Sequence, residues 1–571
     1  MVYLKSPYPQ IPPIPDRNVH ETLMQPPNGV HPAEFTLHVD AVTGKKRTYT
    51  EFKRAVELGS TALGAPVADG GLGLSAEAGH MIGLYSPNCM EYIAAVNSLI
   101  RNATPFALLS MFATVYELTH ALRLSKSTHM VVHAELLPKA LAAAKEVGLP
   151  EDRIYILDGK VEGKPNLEDM RQAIQKRNVP QLPVKPATRN TLAYLVFSSG
   201  TSGLPKAVMI SHGNIWSMVF AQVILAEVEA AHTQIPPPET PPTVLLFLPF
   251  YHTFGLHMSC FRQFYTPITY VIIPRWNTDL VLRLIPKYNI NIMPLIPSAI
   301  HQMVNHKLFT KTDFSSLRGV SSGAAYLPPD LSKKFLKFVT NAPVILEGYG
   351  MSEQTLSAAR RPLPGLFGLN APSGCAGVPI AGVEIKILRP DGTHAAIDEP
   401  GELWTRGPNT ALGYYNNPKA TAETFIDGWL RTGDSFKVDK DGLMFFVDRA
   451  KDTLKVSGAQ VSPTEIEDTV RDHPDKLVSD VCVAGVSGGR TSDEKIPRAW
   501  IVLSEEGRRR GPEETVKALD AWVRKSLSKY KWVRGGYEVT DVIPKNPTGK
   551  VLRRVLVDKY EQDAKEPKSK L

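Results

Sequence analysis

A chain of 571 residues exceeds what one hydrophobic core serves, so two or more domains are expected. Its 43% hydrophobic and 21% charged residues are ordinary for a globular protein and exclude bulk disorder. The net charge of +8 is dilute, and Arg508-Arg509-Arg510 is a run of only three, so phosphorylated small molecules suit it better than a nucleic-acid partner.

In chain order, residues 1–15 are proline-rich without an apolar core segment, which excludes a secretory signal. The cysteines Cys89, Cys260, Cys375 and Cys482 form no C-x-x-C pair, so neither a zinc site nor a disulfide framework is expected. Short apolar runs at Leu192–Phe197, Thr243–Leu248 and Val344–Leu346 read as buried strands. Helical patterns at Ser211–Glu229 and Leu327–Val339 alternate with them, which predicts an α/β architecture with largely parallel sheets. The most apolar helical stretch, Ile215–Ala226, is broken by Ser217 and Gln222; it reads as a buried helix too short for a transmembrane segment. The proline run from Ile235 to Pro242 reads as a surface loop. Gly428–Asp434 and Asp441-Gly442 suggest turns between short strands, a β-rich subdomain closing the large domain.

Beyond residue 450, strands at Val481–Ala484 and Ala499–Val502 mix with helices at Ser462–Asp472 and Glu513–Leu527, a small α+β domain by length. The expected division is a large domain over 1–449, a small one over 450–562 and a tail over 563–571. The chain finishes in Ser569-Lys570-Leu571, a peroxisomal address that an import receptor reads at a free C-terminus.

The string from Phe197 to Lys206, F-S-S-G-T-S-G-L-P-K, places small hydroxyl and glycine residues between two apolar strands and ends in lysine. Glycines let the backbone approach a polyphosphate, Ser198, Ser199, Thr201 and Ser202 donate to its oxygens around Gly200, and Lys206 adds charge. A Ser/Gly linker leaves the flanking strands and the lysine unexplained, and the Walker A pattern is absent.

This string resembles the phosphate-loop signature of the adenylate-forming superfamily of acyl-CoA synthetases, beetle luciferases and nonribosomal adenylation domains. Four further strings follow in that family's order: Gly348–Glu353, Gly428–Asp434, Asp448–Lys451 and Asn546–Lys550. The likeness runs from about residue 30 to 560 and is nearest the 4-coumarate–CoA ligase-like branch.

The resemblance implies a small domain hinged to the large one and gives the following residues their roles. Tyr349, beside Gly348, contacts adenine, Ser352 the α-phosphate, and Glu353 holds Mg²⁺. Glu347 stands where the family commonly has Gln, next to the adenylate. Ala325, in Ser322-Gly323-Ala324-Ala325, lines the adenine and acyl pockets. Asp434 and Arg449 serve the ribose. A lone histidine is more often a satisfied core residue, but His252 matches the family's P-x-x-H string and so sits beside the acyl carbonyl, with Phe254 walling the acid pocket. Lys550 takes the position of the adenylation lysine, Lys451 the hinge, and Lys455 and Gln460 the catalytic loop. Ser457 and Gly458 flank coenzyme A.

The implied activity is an ATP-dependent acid–CoA ligase using Mg²⁺ and coenzyme A. Loading of a carrier protein and a luciferase-like oxygenase reaction share these motifs and stay open at this point. The acid is not encoded in the strings, because its pocket is built from dispersed positions.

Overall fold

The computed structural model describes residues 2–24, 34–198, 205–234, 240–262, 267–449, 454–456, 459–488, 494–544 and 551–563, with backbone alone at 448, 449, 455 and 460. The chain divides into two units. One comprises Met1–Met111, Leu118–Phe197 and Ala207–Asp448; the other comprises Phe112–Glu117, Ser198–Lys206 and Arg449–Leu571.

The first unit is α/β. Among the described residues, one of its sheets has six strands, in the order Ile154–Ile156, His129–Val132, Ile82–Tyr85, Phe106–Leu109, Leu192–Ser198 and Lys206–Ser211. Its first five strands are parallel where they pair, and those at Ile82–Tyr85, Phe106–Leu109 and His129–Val132 are buried at every residue. Burial on both faces is the reason such strands read as unbroken apolar runs. A second sheet of nine strands contains, as neighbours, Ile345–Tyr349, Gly319–Ser322, Ile292–Leu295 and Thr243–Leu246, all parallel.

The third sheet is the β-rich part; Tyr3–Lys5, Glu384–Leu388, Gly401–Arg406, Trp429–Val438 and Phe425–Ile426 pair antiparallel in that order. Gly401–Arg406 alternates buried and part-exposed residues, as expected of a strand with one face on the core. Here the expectation of turns between short strands at Gly428–Asp434 is corrected. A turn at Asp427-Gly428 opens one ten-residue strand, Trp429–Val438, and the next turn is at Asp441-Gly442. Gly433, with φ of 73° inside that strand, absorbs a register shift opposite Glu402 and Trp404, so it bends the strand rather than ending it.

The helix expected at Ser211 starts there because Ser211 and Asn214 cap each other reciprocally: Asn214 N donates to Ser211 Oγ (3.1 Å) and Ser211 N donates to Asn214 Oδ1 (3.0 Å). It runs for 22 residues, His212–Thr233, long and apolar enough to cross a membrane by length and composition. The expected shorter length is therefore wrong: Ser217, Gln222, Glu227 and Glu229 are all tolerated within it, and it ends at left-handed Gln234. Its first turns pack into the core, where Asn214 Nδ2 donates to the carbonyls of Pro408 (2.9 Å) and Thr410 (2.8 Å). The second expected helix is shorter than its pattern, Pro329–Leu336, its start fixed by consecutive prolines.

In the second unit, Val478–Val486 pairs antiparallel with Ile496–Leu503, which pairs parallel with Tyr537–Val539. The helices Pro463–Arg471 and Pro512–Ser526 contribute Ile466, Val470, Leu519 and Val523 to its apolar core. A two-stranded ribbon, Leu454–Val456 with Ala459–Val461, sets Lys455 opposite Gln460.

Candidate active site

The adjacent parallel strands Thr243–Leu246, Ile292–Leu295, Gly319–Ser322 and Ile345–Tyr349 open their carboxyl-end loops on one edge of the nine-stranded sheet. That edge is where open α/β sheets bind ligands. His252 follows the first of these strands, Ala325 follows the third, and Tyr349 closes the fourth.

The loop to His252 is pinned by Asn88, which donates to the Leu248 carbonyl (3.0 Å) and accepts from Phe250 N (2.9 Å). The chain then turns into the helix Thr253–Cys260 with His252 as its N-cap residue. Gly255 permits this tight return, since a Cβ there would lie 2.1 Å from the Pro249 carbonyl oxygen. His252 is exposed by accessible surface, and the protein packed around it lowers its affinity for a proton. Phe254 reaches the next loop: a Cβ on Gly323 would meet its ring at 3.5 Å. In that loop Ala324 adopts a left-handed φ of 65°, and the buried Ser322 Oγ has no protein partner among the described residues.

The following segment is held more tightly. A Cβ on Gly350 would sit 2.0 Å from the Leu356 carbonyl oxygen, so only glycine fits where the chain doubles back. Ser352-Glu353-Gln354 form a single helical turn, ended by Thr355 at φ of 63°. Thr355 Oγ1 donates to the Asn409 carbonyl (2.6 Å), Asn409 Nδ2 donates to the Ser357 carbonyl (2.8 Å), and Gln354 is hydrogen-bonded to Thr405.

Glu353 is buried, and its Oε1 accepts from the Tyr414 hydroxyl at 2.9 Å. Burial, followed by the Glu353 charge, raises the pKa of Tyr414 and keeps it a donor. The backbone around Tyr414 pairs with the strand that begins at Lys206: Met209 N donates to Gly413 O (2.9 Å) and Tyr415 N donates to Ala207 O (2.8 Å). Glu353 is thereby tied to the strand through Ala207 and Met209.

Asp434, also buried, accepts from the Tyr349 hydroxyl at 2.7 Å, and the Tyr349 ring packs edge-on against Phe436 at 4.7 Å. Glu347 accepts from Gly374 N (2.9 Å) and Ser373 Oγ (3.2 Å), with Arg361 Nη1 at 3.5 Å. Burial raises its pKa, against the opposing effects of Gly374 and Arg361. Its carboxylate thus holds the neighbouring Ser373-Gly374 turn.

The structure brings His252, Phe254, Ala325, Gly348, Tyr349, Ser352, Glu353 and Asp434 onto the first unit's carboxyl edge and the strand beside it. Ser198 ends one strand and Lys206 starts the next. Ser199, Gly200, Thr201, Ser202, Lys451, Ser457, Gly458, Lys550 and the terminal Ser569, Lys570 and Leu571 lie outside the described residues, as do the side chains of Arg449, Lys455 and Gln460. Tyr414, Asn409 and Asn88 escape sequence reasoning. Tyr414 is 61 residues from Glu353, and its only local signal is an aromatic pair after Gly413.

The AMP-binding enzyme family matches residues 30–415, and the AMP-binding enzyme C-terminal domain matches residues 465–550. Acyl-CoA synthetase 7 of Caenorhabditis elegans is 32% identical over 457 residues, covering 80% of this chain and 81% of its own length. Probable 4-coumarate–CoA ligase 1 of Dictyostelium discoideum is 31% identical over 499 residues, covering 85% and 86%. The solved amide bond synthetase of Marinactinospora thermotolerans shares the fold with a TM-score of 0.77 at 23% identity, covering 95% of this chain and 99% of that one.

Proposed function

We infer the reaction from the family to which this chain belongs, the AMP-binding enzymes. It is an ATP-dependent acid–CoA ligase. A carboxylate oxygen attacks the α-phosphate of ATP, pyrophosphate leaves, and an acyl-AMP forms; the coenzyme A thiol then attacks the acyl carbonyl and AMP leaves. A carboxylate is a poor acyl donor, and adenylation gives it a leaving group. Placement and charge stabilisation carry the catalysis, since no covalent enzyme intermediate is required.

The observation that carries this reading is the gathering of His252, Ala325, Tyr349 and Glu353 on one sheet edge, with Asp434 hydrogen-bonded to Tyr349. In our assignment Tyr349 faces adenine, and Asp434 accepts from the ribose hydroxyls with Arg449 beside it. Ser352 donates to the α-phosphate. The turn from Ser198 to Lys206 cradles the outer phosphates. His252, kept neutral by its surroundings, donates toward the acid, and Phe254 walls its pocket.

Mg²⁺ binds through one or two carboxylates and substrate phosphates. A buried Glu353 whose Oε1 is oriented by a hydroxyl donor fits that requirement. The ion would offset triphosphate charge there. Lys550 is assigned to the adenylation step, Lys455 and Gln460 to the catalytic loop, Ser457 and Gly458 to coenzyme A, and Lys451 to a hinge that presents these faces in turn. We assign the Ser569-Lys570-Leu571 tail to peroxisomal import, tested by locating a tagged chain with and without those residues.

Pyrophosphate release is to be screened over a panel of acids with and without coenzyme A. The ligase reading predicts acid-dependent release and coenzyme-A-dependent AMP formation. Lys550→Ala is expected to abolish acid-dependent pyrophosphate exchange yet spare thioester formation from supplied acyl-AMP. Equal loss of both half-reactions would contradict the assignment of Lys550.

A further inference from the structure

The helix that begins at His252 carries Phe254 and Met258 four residues apart, and Arg262 follows four residues later, just past its end at Cys260. Phe254 and Met258 share a face of the helix, and Arg262 joins that face through its bond to Met258. At its first end the face meets the Ser322–Ala325 loop, through Phe254 against Gly323. At its far end Arg262 Nη1 approaches Met258 Sδ at 3.5 Å. With a rise of 1.5 Å per residue, the helix end at Cys260 lies roughly 9 Å beyond Phe254, and Arg262 follows two residues later.

Among the described residues no carboxylate stands within ion-pair distance of this guanidinium, and the Met258 sulfur accepts a hydrogen bond from it. Glu229, the acidic group that acts on it electrostatically, is engaged by Arg360 at 3.0 Å. Tyr270 acts on it more strongly. That side chain is fully buried, and its hydroxyl has no hydrogen-bond partner among the described residues. Arg262 is half-buried; desolvation, with the neighbouring Arg360 charge, lowers its affinity for its proton, and burial raises the pKa of Tyr270. A guanidinium half withdrawn from water gains most from a carboxylate that fills its donor fork.

Resting on the ligase reading above, we propose that Arg262, with Tyr270, anchors a second carboxylate at the far end of the acid pocket, so that the preferred substrate is a dicarboxylic acid. One carboxylate meets the nucleotide beside His252. The chain lies along Phe254 and Met258, and the other carboxylate takes the planar fork of Arg262, whose paired N–H groups match carboxylate geometry, with the Tyr270 hydroxyl as a further donor. A methyl-ended acid in the same place would leave the guanidinium unpaired.

The test compares chain-matched pairs of monocarboxylic and α,ω-dicarboxylic acids of increasing length, reading kcat/KM from pyrophosphate release and acid affinity from calorimetry. The wild-type protein is expected to favour the dicarboxylic member by at least about tenfold at the matching length, mainly through KM. Arg262→Met is expected to collapse that ratio to about one or invert it, Arg262→Lys to retain part of it, and Tyr270→Phe to reduce it a few-fold. Equal values within every wild-type pair overturn the inference, as does an unchanged ratio in an Arg262→Met protein that melts like wild type. Selective turnover of methyl-ended acids overturns it while leaving the ligase reading intact. A calorimetric preference for dicarboxylic acids without pyrophosphate release supports the anchor and contradicts the ligase reading.

Discussion

The Tyr414 hydroxyl donates to Glu353 Oε1 across 2.9 Å, joining a buried carboxylate to the segment paired with the strand of Lys206. Glu353 is thereby tied to the strand through Ala207 and Met209 by a residue that belongs to neither motif.

Tyr414→Phe keeps the ring that packs edge-on against Phe425 at 5.6 Å and removes this donor. A hydrogen bond to a charged group is worth about 1.5–3 kcal/mol, so kcat/KM for ATP is expected to fall on the order of ten- to hundredfold. The magnesium concentration needed for half-maximal rate should rise with it. A magnesium and ATP titration decides the matter, and unchanged values would show that Glu353 is held without Tyr414.

Gly350→Ala is expected to be far more damaging than its size suggests. The added Cβ would lie 2.0 Å from the Leu356 carbonyl oxygen and 2.7 Å from Ser357 Cα, both backbone atoms. Relieving that overlap costs about 1–3 kcal/mol and displaces the turn carrying Ser352 and Glu353. Thermal melting should show a lower Tm, together with loss of acid-dependent pyrophosphate exchange. A variant with wild-type exchange would mean that the turn is not part of the nucleotide site.

The family was legible because its members carry particular chemical groups in unbroken strings, as at Phe197–Lys206 and Gly348–Glu353. The strand at Leu192–Ser198 was legible because burial of its middle residues on both faces leaves a continuous apolar run. What joins the motifs was not legible. The hydrogen bonds of Asn88 to the His252 loop and of Asn409 to the Glu353 turn link residues far apart in sequence, and single Asn or Tyr residues carry no periodic signal. Gly433 misled in a different way: glycine beside Asp reads as a turn, but here it bends one continuous strand. That Arg262 has no ion pair among the described residues depends on which carboxylates already have partners, a property of the packed molecule alone.

Buried histidines make stability depend on pH with a definite sign. Burial lowers His20 and His257 to about 3 and His212 to about 4, from an ordinary 6.5. Below pH 6.5 the unfolded chain binds protons at these sites that the folded chain refuses, so stability falls as pH falls, until the folded values are reached. Between pH 6.5 and 5 each contributes at most about 2 kcal/mol of loss. Melting curves should show Tm constant from these groups above pH 7 and declining below 6.5, with His257→Gln flattening the decline. A Tm that rises on acidification over this window would contradict the buried neutral assignment.

The central claim is that the carboxylate itself attacks the α-phosphate of ATP at the sheet edge shared by His252 and Tyr349. It is tested most directly by supplying an acid isotopically labelled in its carboxylate oxygens, with ATP, magnesium and coenzyme A, and locating the label by mass spectrometry. One labelled oxygen per turnover is predicted in AMP, with pyrophosphate unlabelled. Label in inorganic phosphate with ADP as the nucleotide product, or acyl-CoA formed while AMP stays unlabelled, would contradict it.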